Sequence, residues 1–304
     1  MPPVPPSASR QDYLLLLLLA AAWGSSFFLI KIAVAAIPPM TVAAGRIAIG
    51  AAVLLALLRA RGAGLPRRPQ AWLKLTTMGA IGIVGPFALI GWGETRIDSG
   101  LAAILIALVP FATILLAHLF VPEEPLSAGK LAGLALGFFG VVLLIGPSAL
   151  RGLGGDLLGQ LAIVAAALGY AVTAIIARRP PHLAPEVAAA GMLTAATVVA
   201  VPAAALIDRP WTLAPGAVPL AAVGILGLVS TAGGYILFFR IIARAGAGFA
   251  SFNNYLVPPM GVFWGAVLLG ERVEPRALLA LALILAGLAA PRLWPGRAHR
   301  PAGS

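Results

Sequence analysis

Two stretches of this chain are copies of one another held in register. Leu108-Val109-Pro110, inside an apolar run that ends at Glu123, returns as Leu256-Val257-Pro258, inside a run that ends at Glu271, and both landmarks are displaced by 148 residues. The same offset pairs Gly100 with Gly248, Ala102 with Ala250, Arg96 with Arg244 and Phe87 with Tyr235. Upstream the offset slips by two or three residues, pairing Pro39 with Pro185, Gly45 with Gly191 and Gly24 with Gly169. Small loop insertions between corresponding elements produce such slips, so the chain reads as two versions of one unit.

What that unit dissolves in follows from its composition. The 304 residues are 61% hydrophobic and 10% charged, with mean hydropathy +1.00, whereas soluble domains carry roughly 25% charged residues. Ten apolar segments approach the ~20 residues needed to cross a bilayer: 14–36, 39–58, 72–93, 99–121, 129–147, 157–178, 186–206, 217–239, 247–269 and 275–293. The expected fold is an all-α membrane protein of ten transmembrane helices, with one five-helix repeat over 14–147 and a second over 157–291. The first run, Tyr13 to Ile37, exceeds the ~7–15 apolar residues of a signal peptide and is expected to be retained.

Lys and Arg number 14 on one side of the alternating segments and 5 on the other, which puts both termini in the cytoplasm. Because five is odd, the second repeat begins on the opposite side from the first, and the duplication becomes an inverted repeat. In secondary transporters this arrangement places the site near the midplane between the repeats, marked by Gly/Pro-interrupted helices at matching positions. Pro110 and Pro258 fit that description.

Several chemistries are excluded. There is no cysteine, so disulfides and thiolate metal sites are ruled out. His118, His182 and His299 are scattered, and no cluster has metal-ligand spacing. The net charge of +11 lies mainly in loops and tails without a basic-aromatic module, which argues against nucleic acid as a partner. No GxxxxGK[ST] loop occurs, which argues against ATP-driven pumping, and no cofactor is expected.

In their order along the chain, Trp23-Gly24-Ser25-Ser26-Phe27, Lys31, Pro38-Pro39, Arg46, the two Leu-Val-Pro copies, Glu123 and Glu271 resemble the EamA branch of the drug/metabolite transporter superfamily over about 14–291. The resemblance implies a carrier of small metabolites, commonly amino acids or related compounds and frequently acting in export, in the bacterial inner membrane. It also implies a cavity lined mainly by the first, third, fourth, sixth, eighth and ninth helices. The chain departs from the family at Pro122-Glu123-Glu124, where Gly-Glu is usual, and at the polar Asn253-Asn254 pair.

The polar residues at depth are the candidate substrate contacts. Arg46 lies about seven residues, roughly 10 Å, into its helix and must face the bundle interior or water. It either binds a substrate carboxylate or holds backbone carbonyls, and its counterpart in the second half is Met192. Trp23, Ser25 and Ser26 sit opposite Gly169, Tyr170 and Thr173 in the repeat, where small and hydroxylated residues allow close packing or line a cavity. In the ninth helix Ser251, Asn254, Tyr255 and Pro258 share a face, with Asn253 beside them. Pro258 frees the carbonyl of Asn254. Thr231 and Tyr235 form a similar pair on the eighth helix. Glu94 and Asp98 are candidates to carry a coupled proton, the other reading being an exposed loop cluster around Arg96. Glu123 and Glu271 are expected to pair with neighbouring Lys or Arg. An intramembrane serine hydrolase using Ser25 or Ser26 with His118 lacks a GxSxG context, and a channel is the third reading. No catalytic residue is assigned.

Overall fold

The computed structural model describes residues 9–120, 128–150 and 155–293, and within them all regular structure is helical. Thirteen α-helices run in order: α1 Arg10–Val34, α2 Pro39–Ala60, α3 Pro69–Gly79, α4 Gly85–Glu94, α5 Ser99–Ile106, α6 Val109–Phe120, α7 Ala128–Leu150, α8 Gly155–Ala177, α9 Pro185–Ile207, α10 Ala217–Ile225, α11 Gly234–Ala250, α12 Asn253–Leu269 and α13 Pro275–Leu293. Among the described residues, seven segments are long and apolar enough to cross a membrane, with two shorter apolar helices at Ala128–Leu143 and Pro275–Ala290. Large apolar side chains such as Leu17, Phe138, Val198, Leu206 and Leu268 are exposed around the outside, as a lipid-facing perimeter requires. Glu123 lies outside the described residues.

Local chemistry sets the helix ends. Ser9 and Asp12 form a reciprocal capping box at the start of α1, satisfying two N–H groups that the first turn leaves open. Pro39 and Pro185 open α2 and α9, where a missing N–H costs nothing. At the other end of α12, Gly270 adopts φ 67, the left-handed conformation that closes a helix.

Four apolar segments are built from more than one helix. α3 continues into α4 through a π-helical stretch, Ala80–Val84, and α10 continues into α11 through another, Leu226–Gly233. These occupy equivalent positions, since residues 80 and 84 map to 228 and 232 under the repeat offset of 148. In the second stretch the Thr231 hydroxyl donates to the Leu226 carbonyl, five residues back, at 2.9 Å. In the fourth apolar segment α5 ends in tight turns at Ala107 and Leu108, and Pro110 takes up the first turn of α6. The equivalent break in the ninth segment comes earlier, at Ser251–Phe252. α12 therefore begins at Asn253 and carries Pro258 inside it.

The packing pairs the two halves. α2 lies along α9, α5 along α12 and α7 along α13, and the contact of α1 with α12 is answered by that of α8 with α5 and α6. The tightest approach uses glycine. A Cβ at Gly24 of α1 would stand 2.6 Å from Met260 Cβ and 3.2 Å from the Gly261 amide of α12, closer than packed atoms tolerate. Gly24→Val is expected to destabilise the fold by about 1–3 kcal/mol, read as a lower midpoint of thermal unfolding in detergent.

Candidate functional site

The deepest polar feature is Arg46. It projects from α2 into the space between the halves and is 5% exposed. Its Nε donates to Thr231 Oγ1 at 3.2 Å, and its guanidinium lies over the Phe87 ring, 3.9 Å from the centroid. Thr231 is turned correctly because its own proton goes to the Leu226 carbonyl, leaving oxygen lone pairs for Arg46. Gly50, one turn below Arg46, lets this segment close on α2, since a Cβ there would stand 2.6 Å from Thr231 Cγ2.

Aromatic residues complete the surround. Trp23 meets Tyr235 edge-on at 6.4 Å and packs against Gly234, while Tyr235 stacks on Phe239 at 5.9 Å. Tyr170 and Tyr235 lie close enough to Arg46 to interact with it electrostatically, as does Glu94. Phe87 and Tyr235 are repeat mates, so the two halves present equivalent aromatic positions to one unpaired arginine. Among the described residues the ion pairs are Arg61–Glu186, Asp12–Arg244 and Glu274–Arg276, and Arg46 belongs to none. A cation–π contact contributes about 0.5–2 kcal/mol, less than the several kcal/mol that burial of a charge costs. Thr231 and Phe87 therefore orient Arg46 without neutralising it.

The structure thus gathers Trp23, Arg46, Tyr170, Thr231 and Tyr235 and adds Phe87, whose register match with Tyr235 was the signal for it. The remaining candidates lie elsewhere. Ser25 donates to the Ala22 carbonyl at 2.9 Å, and Ser26 is buried on α1. Pro110 is half-buried at the start of α6, and His118 is exposed near its end. The earlier break before α12 turns Asn253 inward at 2% exposure, leaves Asn254 exposed, and leaves Asn253 Oδ1 without a hydrogen-bond partner. Tyr255 donates its hydroxyl proton to the Leu288 carbonyl of α13, and Pro258 is buried within α12.

At the end of the bundle beyond Arg46, Lys31 Nζ donates to the carbonyls of Glu94 and Ile97, each at 2.7 Å. Glu271 does not pair with a cation. Its Oε1 and Oε2 accept the Ser99 and Gly100 amides, at 2.8 and 2.9 Å, where the start of α5 offers open N–H groups and a favourable dipole. Above it a cavity of about 340 Å³ is lined by Asp98, Asp156, Gln160, Glu271 and Arg272, among others. Partial burial, followed by the neighbouring Glu271 charge, pushes the Asp98 carboxyl above its ordinary range. The acids read together from sequence are thus separated: Asp98 is exposed and Glu94 is wholly buried.

Residues 11–146 and 157–290 each match the EamA-like transporter family. A probable terminal-alkyne amino-acid exporter of Streptantibioticus cattleyicolor is 30% identical, covering 82% of this chain and 80% of that protein. The inner membrane transporter YedA of Escherichia coli is 28% identical over 85% and 83% of the two chains. An S-adenosylmethionine/S-adenosylhomocysteine transporter of Chlamydia trachomatis is 28% identical over 86% and 83%. A solved crystal structure superposes with TM-score 0.68 at 25% identity, covering 95% of this chain and 99% of the other. With both halves matched and the polar centre lying between them, this multi-pass membrane protein belongs to the EamA-like transporter family.

Proposed function

We propose that the protein is a secondary carrier for small metabolites bearing an α-amino-acid head group, exporting them across the bacterial inner membrane by alternating access. The observation that carries this reading is Arg46, a buried arginine without an acidic partner among the described residues, placed where the two halves meet. A guanidinium offers five donors in a fork that matches a carboxylate, and Thr231 occupies only Nε. The relatives named above support the substrate class, since an amino acid, S-adenosylmethionine and S-adenosylhomocysteine all carry an α-carboxylate.

The topology proposed is ten crossings with both termini cytoplasmic, made of oppositely oriented repeats over 14–147 and 157–291. In that frame polar ties join the repeats on both faces. The outer ties, Glu271 to the Ser99 and Gly100 amides and Asp208 to Thr41, are charge-assisted hydrogen bonds at least partly shielded from water. Of the inner ties, Arg61–Glu186 is about half exposed on both sides, 51% and 52%, where an ion pair contributes about 0–1 kcal/mol. The inner face is also tied by Asp12–Arg244, whose aspartate is buried; export is proposed from the likeness to the amino-acid exporter named above. Protons are the proposed coupling ion, with the acidic outer mouth around Asp98 as their point of entry.

Reconstituted protein should accumulate labelled amino acid by counterflow without ATP, at least about tenfold over empty liposomes. A panel of amino acids and S-adenosylmethionine with no counterflow would overturn the substrate assignment. Unsaturable flux with ion conductance would instead indicate a channel.

A further inference from the structure

We infer that Glu94 receives the ammonium group of a zwitterionic ligand whose carboxylate is held by Arg46, an assignment that rests on the amino-acid reading above. Glu94 ends α4 at 0% exposure, and neither carboxylate oxygen has a hydrogen-bond partner. The charged groups near enough to act on it are Lys31 of α1, Arg46 of α2 and Glu271 beyond α12. The ammonium of Lys31 is engaged by the carbonyls of Glu94 and Ile97, so it closes the end of α4 without satisfying the carboxylate. A buried carboxyl group left without a hydrogen-bond partner is unfavourable, and more so when charged. A ligand cation arriving beside it removes that cost.

The spacing fits an amino-acid head group. Phe87 and Glu94 are seven residues apart on one face of α4, which is about 10 Å along the axis. The guanidinium rests on the ring of Phe87. A zwitterion needs two charge-assisted hydrogen bonds of about 2.8 Å and spans about 3 Å between its own N and O atoms. The total is roughly 9 Å by the same bond lengths. The rise of α4 between Phe87, on which Arg46 rests, and Glu94 thus matches the reach of one head group, and each end lacks the partner that the ligand brings.

A site with a buried polar group discriminates strongly against a ligand that leaves that group unpaired. The test compares the panel amino acid giving the largest counterflow with the carboxylic acid of the same skeleton, in which hydrogen replaces the ammonium group. Wild type should prefer the amino acid by about 100-fold or more. Glu94→Gln should weaken the amino acid alone and leave the des-amino acid within about threefold, so that the preference collapses, whereas Arg46→Ala should weaken both. Should Glu94→Gln not purify as a folded species, Glu94→Asp, which keeps the charge but withdraws it by a methylene, should again weaken only the amino acid. An unchanged preference, or equal loss of both ligands, overturns the assignment while leaving the transport reading intact. A wild-type protein that moves no panel member overturns both.

Discussion

Arg46→Met is expected to abolish saturable amino-acid counterflow while leaving the protein at least as resistant to thermal unfolding as wild type. Removing one partner of a desolvated charge pair costs 2–5 kcal/mol of binding, and ~3 kcal/mol corresponds to a loss of roughly 100-fold or more in affinity. Stability moves the other way because Arg46 in the unliganded protein is a buried cation with one hydrogen bond and one ring beneath it. An apolar side chain of similar length removes that burial cost and keeps the packing. Arg46→Lys retains the charge without the planar fork and should fall between the two. Equal loss of stability and of binding in Arg46→Met would mean that the arginine is structural.

The second large effect belongs to Glu271. Truncation to alanine strips acceptors from the Ser99 and Gly100 amides at the start of α5. Each buried N–H left unsatisfied costs about 1–3 kcal/mol. It also leaves a void beside Gly265, which has no side chain because the carboxylate packs against it. Glu271→Ala is expected to lower the unfolding midpoint in detergent. It should also raise the reactivity of a cysteine placed at Leu101, which lines the outer cavity, by about tenfold, a free-energy change of ~1.4 kcal/mol. Glu271→Gln keeps one strong acceptor and should recover part of both. A cysteine whose reactivity does not change would show that this contact does not hold the outer face closed.

Much of this architecture was legible in the residues. The offset of 148 exposed the duplication because apolar runs and their breakers must recur together when a unit is copied. Arg46 announced itself by depth, since an arginine ~10 Å into an apolar helix cannot face lipid. The match of Phe87 with Tyr235 already held the aromatic surround. The π-helical stretches were not legible, because their apolar residues fit an α-helix equally well and the register change depends on neighbours. Gly82, for instance, packs directly against Thr173.

Glu94 was obscured by its exposed neighbours Arg96 and Asp98, as its burial comes from α1, where Lys31 seals the end of α4 from 63 residues away. The ninth segment shows how one break redistributes a face. Starting α12 at Asn253 puts that residue inside and Asn254 outside, and α13 supplies the carbonyl that takes up Tyr255. Glu271 was read as a partner for a cation because nothing in a linear sequence shows which helix start stands opposite an acid.

Transport as proposed rests on one amino-acid head group held between the two halves by Arg46. A structure of the protein bound to the amino acid it moves by counterflow tests this most directly. The ligand carboxylate is expected within hydrogen-bonding distance of the Arg46 guanidinium, inside the surround of Trp23, Phe87, Tyr170, Thr231 and Tyr235. A ligand bound elsewhere, with Arg46 still resting on Phe87 and Thr231 alone, would contradict it.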